Sequence, residues 1–396
     1  MRIVSLYLFI IFMFFGCTAT QPVVYTQPIK IETKKVEPKK EIIVSELNTT
    51  VPYDNNTTIQ NDIPKIESET IAIIFSSSKI GKYAIEATNT INTYLLYKNE
   101  NFNVKVYDIV NGNKNNIDDI YSDIKSSNIN KVIAMIPNDD LKILKNIENV
   151  EFYLPLINKN DIDLSKYNNS SKFIFGAISY HDQFNKLIEY SNSHLLELYD
   201  NTYIGSTLHN YLRKINKMYS KKIDDRNGYY KNFLENERFI NSSIILNTPI
   251  VKSSILLSQI NGLEVEVSQI LSTQLNYTPL LLSLTQKADR KNIIIANSIS
   301  QLPNDLLEYN NLMGINIEYS WVNYSIILGV EYLISNNLHL FDNVSIKDNQ
   351  VIYPVELYKV TNSKFKKIDM EKMKMENILS EEVPAEKVSA ENLDKI

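Results

Sequence analysis

Polar side chains gather in five short stretches: Ser76-Ser77-Ser78, Pro137-Asn138-Asp139, Ser179-Tyr180, Asp200-Asn201-Thr202 and Asn297-Ser298. Each follows an apolar run and precedes a polar or amphipathic segment. In a parallel sheet such loops lie beyond the carboxyl ends of the strands, where ligands settle. Hydroxyls and amides there grip a carboxylate or another polar group, because the unpaired N–H groups and the dipole of the next helix favour negative charge. The same residue types cap helices when no ligand is involved. It is the recurrence of such loops on one face that nominates Ser76, Ser77, Ser78, Asn138, Ser179, Tyr180, Asp200, Thr202 and Asn297 as candidate ligand-binding residues. Tyr180 and Tyr203 could stack on a ligand beside them, although most of the 25 tyrosines are expected in the core.

Covalent catalysis finds little support. Ser76-Ser77-Ser78-Lys79 satisfies S-x-x-K at a helix start, and Tyr190-Ser191-Asn192 mimics a second element of penicillin-recognising enzymes. The third element is missing, because Lys252-Ser253-Ser254 lacks the glycine that lets a substrate reach the strand backbone. Ser122-Asp123-Ile124-Lys125 matches S-x-x-K as well, so the pattern is cheap. The four histidines, His181, His194, His209 and His339, show no metal-binding spacing, and one cysteine makes neither a disulfide nor a multi-cysteine zinc site. Nine glycines leave few turns for a phosphate cradle, and neither GxGxxG nor GxxxxGK[ST] occurs. The expectation is a non-enzymatic protein with no cofactor and no metal. With 41 Lys and Arg against 46 Asp and Glu in 396 residues, net charge is -5, which argues against a nucleic-acid partner.

The elements that would position these loops alternate. Ile71 to Phe75 reads as a buried parallel strand, and Ile80 to Tyr97 as a helix with Ile85, Thr88, Ile91 and Leu95 on its inner face. Strands over 104–109, 131–136 and 151–156 alternate with helices over 115–127 and 139–147. A second series starts at Phe173-Ile174-Phe175. It continues with a helix over 182–193, a strand over 195–199, a helix over 203–219, a strand over 243–246, a helical stretch over 267–275 and a strand over 293–296. This spacing predicts an α/β protein with parallel sheets, helices on both faces and right-handed crossovers.

The order resembles a known fold. Ile71 to Phe75 with its Ser-rich turn and long helix is similar to the first unit of type I periplasmic-binding proteins. Gly176-Ala177-Ile178-Ser179-Tyr180-His181-Asp182-Gln183-Phe184 resembles the crossover of that fold, where a helix opens on an acid-Gln pair. Asp200-Asn201-Thr202-Tyr203-Ile204-Gly205 resembles its next helix-opening loop. Asn311-Leu312-Met313-Gly314-Ile315, followed by Tyr319-Ser320-Trp321, resembles a late segment of lipoproteins that activate peptidoglycan synthases, the LpoA/LppC group. The resemblance implies two lobes. Lobe 1 would cover about 70–178 plus a returning C-terminal segment, and lobe 2 about 179–290, within a domain over 70–360. It also implies recognition without catalysis, either of an envelope protein such as a peptidoglycan synthase or, as a solute-binding receptor, of a small polar or amino-acid-like ligand.

The flanks carry an address. Met1-Arg2 and the apolar run from Ile3 to Phe15 are too short to span a bilayer and read as a signal peptide over 1–16. Phe14-Phe15-Gly16-Cys17 resembles the lipobox of bacterial lipoproteins, which implies lipidation at Cys17 and a membrane anchor. Thr18, in place of Asp, favours the outer membrane by the sorting rule of that class, and so its periplasmic face. Pro-rich, charged and Thr/Asn-rich sequence over 17–69 is expected to be a disordered tether. Within it Asn48 and Asn56 stand in N-x-Thr sites with an acid two residues upstream, which resembles the bacterial N-glycosylation pattern. Residues 361–396, rich in Lys and Glu, are expected to form a mobile charged tail.

Overall fold

Alternate residues of each central strand feed opposite cores. In the computed structural model, Ile71 and Ile73 of β1 (Glu69–Phe75) join one buried cluster, while Ala72 and Ile74 join another. The strand period of two makes this inevitable once both faces are covered. The structure describes residues 69–370, apart from 82, 110–113, 167–171, 192, 224–227 and 342. Cys17, Asn48, Asn56, the signal peptide, the tether up to residue 68 and the tail from 371 lie outside the described residues.

Two seven-stranded sheets form the frame. In the first, β2 (Phe102–Asp108), β1, β3 (Lys131–Met135), β4 (Glu151–Leu154) and β5 (Lys172–Phe175) run parallel in the order β2-β1-β3-β4-β5. The second repeats this order with β7 (Tyr219–Lys222), β6 (Leu195–Tyr199), β8 (Ser243–Asn247), β9 (Gln269–Ser272) and β10 (Ile293–Asn297). Each sheet is then extended on the last strand's side. β12 (Gln350–Ile352) pairs with β5 and with the antiparallel β11 (Ser345–Lys347). β13 (Glu356–Val360) pairs antiparallel with both β10 and β14 (Phe365–Lys367). Both sheets are therefore mixed rather than parallel throughout, because short return strands arrive by hairpins or direct crossings.

Helices cover both faces. In lobe 1, α1 (Tyr83–Lys98) contributes Ala87, Ile91, Tyr94 and Leu95 to one core, while Ile120 and Ile124 of α2 (Lys114–Ser126) enter the opposite one. In lobe 2, Phe184 and Leu187 of α3 (Tyr180–Tyr190) and Leu208 and Leu212 of α4 (Tyr203–Ile215) share one core. Leu256, Leu257 and Ile260 of α5 (Ile250–Gly262) and Leu281 of α6 (Pro279–Leu284) share the other. After β10 the chain returns to lobe 1 with α7 (Asn304–Leu312) and α8 (Trp321–Ser335), which pack on α1. It crosses a third time between β12 and β13.

Tyr153 on β4 ties the return to the sheet. Its buried ring lies between Gly176 and Gly329, at either of which a Cβ would overlap it. The Tyr153 hydroxyl is 3.0 Å from Ser325 Oγ, which donates to the Gly176 carbonyl at 2.8 Å; Tyr353 also donates to that carbonyl.

Several expectations need correction. Ile91 and Leu95 face inward on α1 as expected, but Ile85 is 68% exposed, and Ala84 and Ala87 take the inner positions expected of Ile85 and Thr88. The stretch 267–275 is not a helix but β9 followed by a 3₁₀ turn over Gln274–Asn276. The helix from Tyr203 ends at Ile215, and Tyr219 opens β7. The segment 139–147 is wound as a 3₁₀ helix over Asn138–Asn146. Residues 361–367 are no free tail, because Thr361 and Lys364 close a turn and Phe365–Lys367 pairs as β14.

Candidate functional site

The carboxyl ends of the strands carry the polar loops. On lobe 1, β1 runs into Ser76, which is buried and whose Oγ lies 3.2 Å from Ser78 Oγ. The Ser77 N–H, freed at the start of a short helical turn, donates to Asp108 Oδ1 at 3.0 Å. Lys79 reaches Asp140 at 2.5 Å and so joins this loop to the one that opens at Asn138. The four lobe 1 candidates, Ser76, Ser77, Ser78 and Asn138, thus share one wall. Its lysine is already paired with its own Asp140.

The arrangement also disposes of the Ser–Lys dyad that S-x-x-K suggests. Lys79 is bonded to Asp140, while the Ser76 hydroxyl lies beside Ser78 Oγ, so these side-chain contacts do not join Ser76 to Lys79.

On lobe 2, Asp200 is fully buried just past β6. Its Oδ1 accepts the Thr202 hydroxyl at 2.5 Å and the Thr202 N–H at 3.2 Å, and its Oδ2 accepts Lys252 at 2.6 Å. Thr202 in turn caps α4, accepting the Gly205 N–H at 3.1 Å. A side chain at Gly205 would overlap Asp200 Oδ1, so the close approach of helix to carboxylate requires glycine there. Tyr203, the next residue, stands 88% exposed at the tip of α4.

Ser179 and Tyr180 sit at the first crossing. Ser179 caps α3 through the Asp182 N–H at 3.1 Å. Burial pushes the Tyr180 phenol up to about 12, against the opposing effect of a hydrogen bond from Trp321. Beside them Asp161 of lobe 1 and Tyr211 and Lys214 of α4 line a cavity of about 220 Å³. Desolvation raises the Asp161 carboxyl above its ordinary range, and the Tyr211 hydroxyl and Lys214 pull the other way. Asn297, the candidate at the end of β10, bonds within its own loop. Its side chain accepts the Ile299 N–H at 3.1 Å and donates to the Ile299 carbonyl at 2.9 Å, closing the turn of the second crossing.

The partners of the predicted residues escaped sequence reasoning. Gln183, nine-tenths buried or more, bonds Gln274 at 3.2 Å and Ser298 at 2.8 Å; the acid-Gln pair was visible, its partners 91 and 115 positions away were not. Buried Glu197 accepts from His209, Ser220 and Asn247, each at 2.7 Å, and His209 stacks on Tyr199 at 3.8 Å. Tyr319, from the segment returned to lobe 1, packs against Tyr277 and Phe365 of lobe 2, with ring centroids 5.4 and 6.1 Å away. Among the described residues, no group of three His, Cys, Asp or Glu side chains could hold a metal ion.

Two mixed α/β sheets of order 2-1-3-4-5 joined by three crossings decide the architecture. The chain has the type I periplasmic-binding-protein fold. No family model and no curated protein matches it. Solved structures do. A putative branched-chain amino acid ABC transporter from Rhodospirillum rubrum aligns with a TM-score of 0.59 at 9% identity, over 76% of this chain and 100% of that one. LpoA of Haemophilus influenzae aligns with a TM-score of 0.54 at 11% identity over 78% of this chain; the match spans 60% of that LpoA chain. LivJ of Streptococcus pneumoniae, in complex with isoleucine, aligns with a TM-score of 0.51 at 12% identity, over 76% and 98% of the two chains. At such identities these likenesses speak for the fold.

Proposed function

We propose that this chain is a lipid-anchored protein of the cell envelope that recognises an envelope protein and performs no chemistry. Anchoring through Cys17 would place it at the periplasmic face of the outer membrane. A peptidoglycan synthase is the partner that the likeness to LpoA suggests; the LpoA C-domain of Haemophilus influenzae, TM-score 0.50, is described as a regulator of PBP1A.

The observation that carries this reading is that the lysines of the candidate walls are already paired within the walls. Lys79 is paired with Asp140, Lys252 with Asp200, and the Ser77 amide with Asp108. A zwitterionic solute would have to compete with such contacts, and breaking the buried Lys252–Asp200 pair would leave an uncompensated charge. Exposed Tyr203, in contrast, is the kind of rigid aromatic that anchors protein interfaces. The test is a photo-crosslinking residue at position 203 in producing cells. A discrete protein adduct, absent when the same residue replaces exposed Tyr229, supports the reading. Absence of any adduct counts against it.

A second reading, a receptor for a small polar or amino-acid-like solute, is favoured by one observation. Asp161 and Lys214, from the two lobes, line one cavity with Ser179 and Tyr180, and could meet an α-amino group and an α-carboxylate. A thermal-shift screen with amino acids and muropeptides separates the two. Ligand at 100 times Kd adds roughly 2.7 kcal/mol to stability, a readily visible shift. Shifts lost in Asp161→Asn would favour the receptor, and their uniform absence would favour the protein partner.

A further inference from the structure

Two cavities meet where the chain returns from lobe 2 to lobe 1. One, of about 310 Å³, lies between Tyr277 and Tyr358 of lobe 2 and Ile299, Leu302 and Leu307 after β10. The other, of about 330 Å³, lies between Pro279 of α6 and the turn after α7, at Asn311, Gly314 and Asn316. Leu307 and Glu318 line both, so the two form one groove with walls from both lobes. Its outer end is apolar and open: Leu312, Met313 and Leu280, each next in sequence to a lining residue, are 85%, 57% and 53% exposed. Its middle is acidic. Glu318 is exposed, accepts from the Tyr319 phenol, and forms no ion pair among the described residues. Glu308, also exposed, stands one helical turn from both Asn304 and Leu312, on the groove side of α7. Among the described residues no Lys or Arg lines either cavity, and the sequence has none from Asn292 to Ile346. Exposed aliphatics beside uncompensated carboxylates suit an occupant that is apolar and basic at once.

The chain holds such a segment outside the described residues. Lys30, Lys34, Lys35, Lys39 and Lys40 outnumber Glu32, Glu37 and Glu41, with Ile29 and Ile31 at one end and Ile42-Ile43-Val44 at the other. Its ends are apolar and its middle is basic, which mirrors the groove with the charge reversed. The tail over 371–396 is a poor rival, because its seven acids outnumber its four lysines. Reach favours the basic segment too. Residues 45–68 separate it from Glu69, and an extended chain of that length spans on the order of 80 Å. β1, seven residues long, already covers about 23 Å of the way from Glu69 to the hinge end of lobe 1. A flexible linker of this kind gives its segment an effective concentration on the order of a millimolar, so weak contacts suffice.

We infer that residues 29–44 of this chain dock in the groove, with their lysines on Glu308 and Glu318 and their aliphatic ends on Leu280, Leu312 and Met313. Docking of this kind is independent of the partner proposed above. It leaves only residues 18–28 free between Cys17 and the folded body, and it opens the groove to other molecules only when the segment is released.

The test is carbodiimide crosslinking of the soluble Cys17→Ala chain, which joins a lysine amine directly to a carboxylate that it touches. Mass spectrometry should find lysines of the 30–40 stretch joined to Glu308 or Glu318, within one molecule and at a yield unchanged by dilution. Leu312→Ser combined with Met313→Ser keeps every reactive group and alters only exposed side chains, so the fold should survive while the yield falls on the order of threefold. Salt at about 0.5 M should lower the yield as well, because exposed charges are screened. The inference is overturned if those lysines join acids across both lobes without preference, if mixed isotope labelling places the links between two molecules, or if the double variant links as the parent does.

Discussion

The Lys252 ammonium meets the Asp200 carboxylate at 2.6 Å, and Asp200 has no exposure to solvent. The pair joins the loop after β6 to the first turns of α5, across 52 residues of sequence. Removing the ammonium leaves a buried carboxylate with the Thr202 hydroxyl and amide as its partners among the described residues. Lys252→Met should destabilise the fold by about 3 kcal/mol, the usual cost of orphaning one member of a buried pair. Asp200→Asn combined with Lys252→Met should recover part of the loss. Urea unfolding reads both, and a single variant within 0.5 kcal/mol of the parent, on the order of an ordinary surface change, would refute the pairing.

Glycine inside a helix is normally a weakness, and replacing it with alanine on an open face gains roughly 1 kcal/mol. At Gly329 in α8 the sign should reverse, because the added methyl would overlap the Tyr153 ring. Gly329→Ala is expected to cost about 2 kcal/mol, in the range of overpacked cores. A smaller residue at Tyr153 should restore much of it. Equal or higher stability in Gly329→Ala would show that the ring has room to move.

Alkaline pH should unfold this protein in a particular way. Burial raises the phenols of Tyr180 and Tyr319 to about 12, the second helped by Glu318. Their folded pKa values exceed the unfolded value near 10, so the stability they contribute is complete below about pH 10 and lost as pH climbs toward 12. Absorbance at 295 nm should rise in two stages, exposed tyrosines first and these only as ellipticity falls. One uniform titration with native ellipticity intact would contradict the burial.

Cys17→Ala should leave the protein in the soluble fraction of disrupted cells, whereas the parent pellets with membranes. Acyl-chain mass on the N-terminal peptide would identify the modification. A Cys17→Ala protein that still sediments with membranes would remove lipid anchoring at that residue.

The sequence made the strand–helix alternation readable wherever a strand is buried on both faces, as at Ile71–Phe75 and Ile293–Asn297, because such strands appear as unbroken apolar runs. It hid β9, whose four residues Gln269–Ser272 include only two large aliphatics and are too short to reveal a period. Ile85 misled because an apolar residue one step from the true face fits the same helical spacing. The strand at Phe365–Lys367 looked like tail because an edge strand bears charge on its exposed side. At the site, loops were legible and partnerships were not. Nothing local to Asp200 points to Lys252, and nothing local to Gln183 points to Gln274 or Ser298. Those contacts are made by topology.

The threefold passage of the chain between lobes bears on its synthesis. Until β13 emerges, the β10 edge of lobe 2 has no neighbour to shield it, and β13 follows β12 by only a few residues. Lobe 1 is finished only at β12, and lobe 2 just after it at β13 and β14. A nascent polypeptide therefore carries both bodies incomplete until nearly all of its strands are made, and truncation before β13 would leave the β10 flank of lobe 2 bare to other molecules.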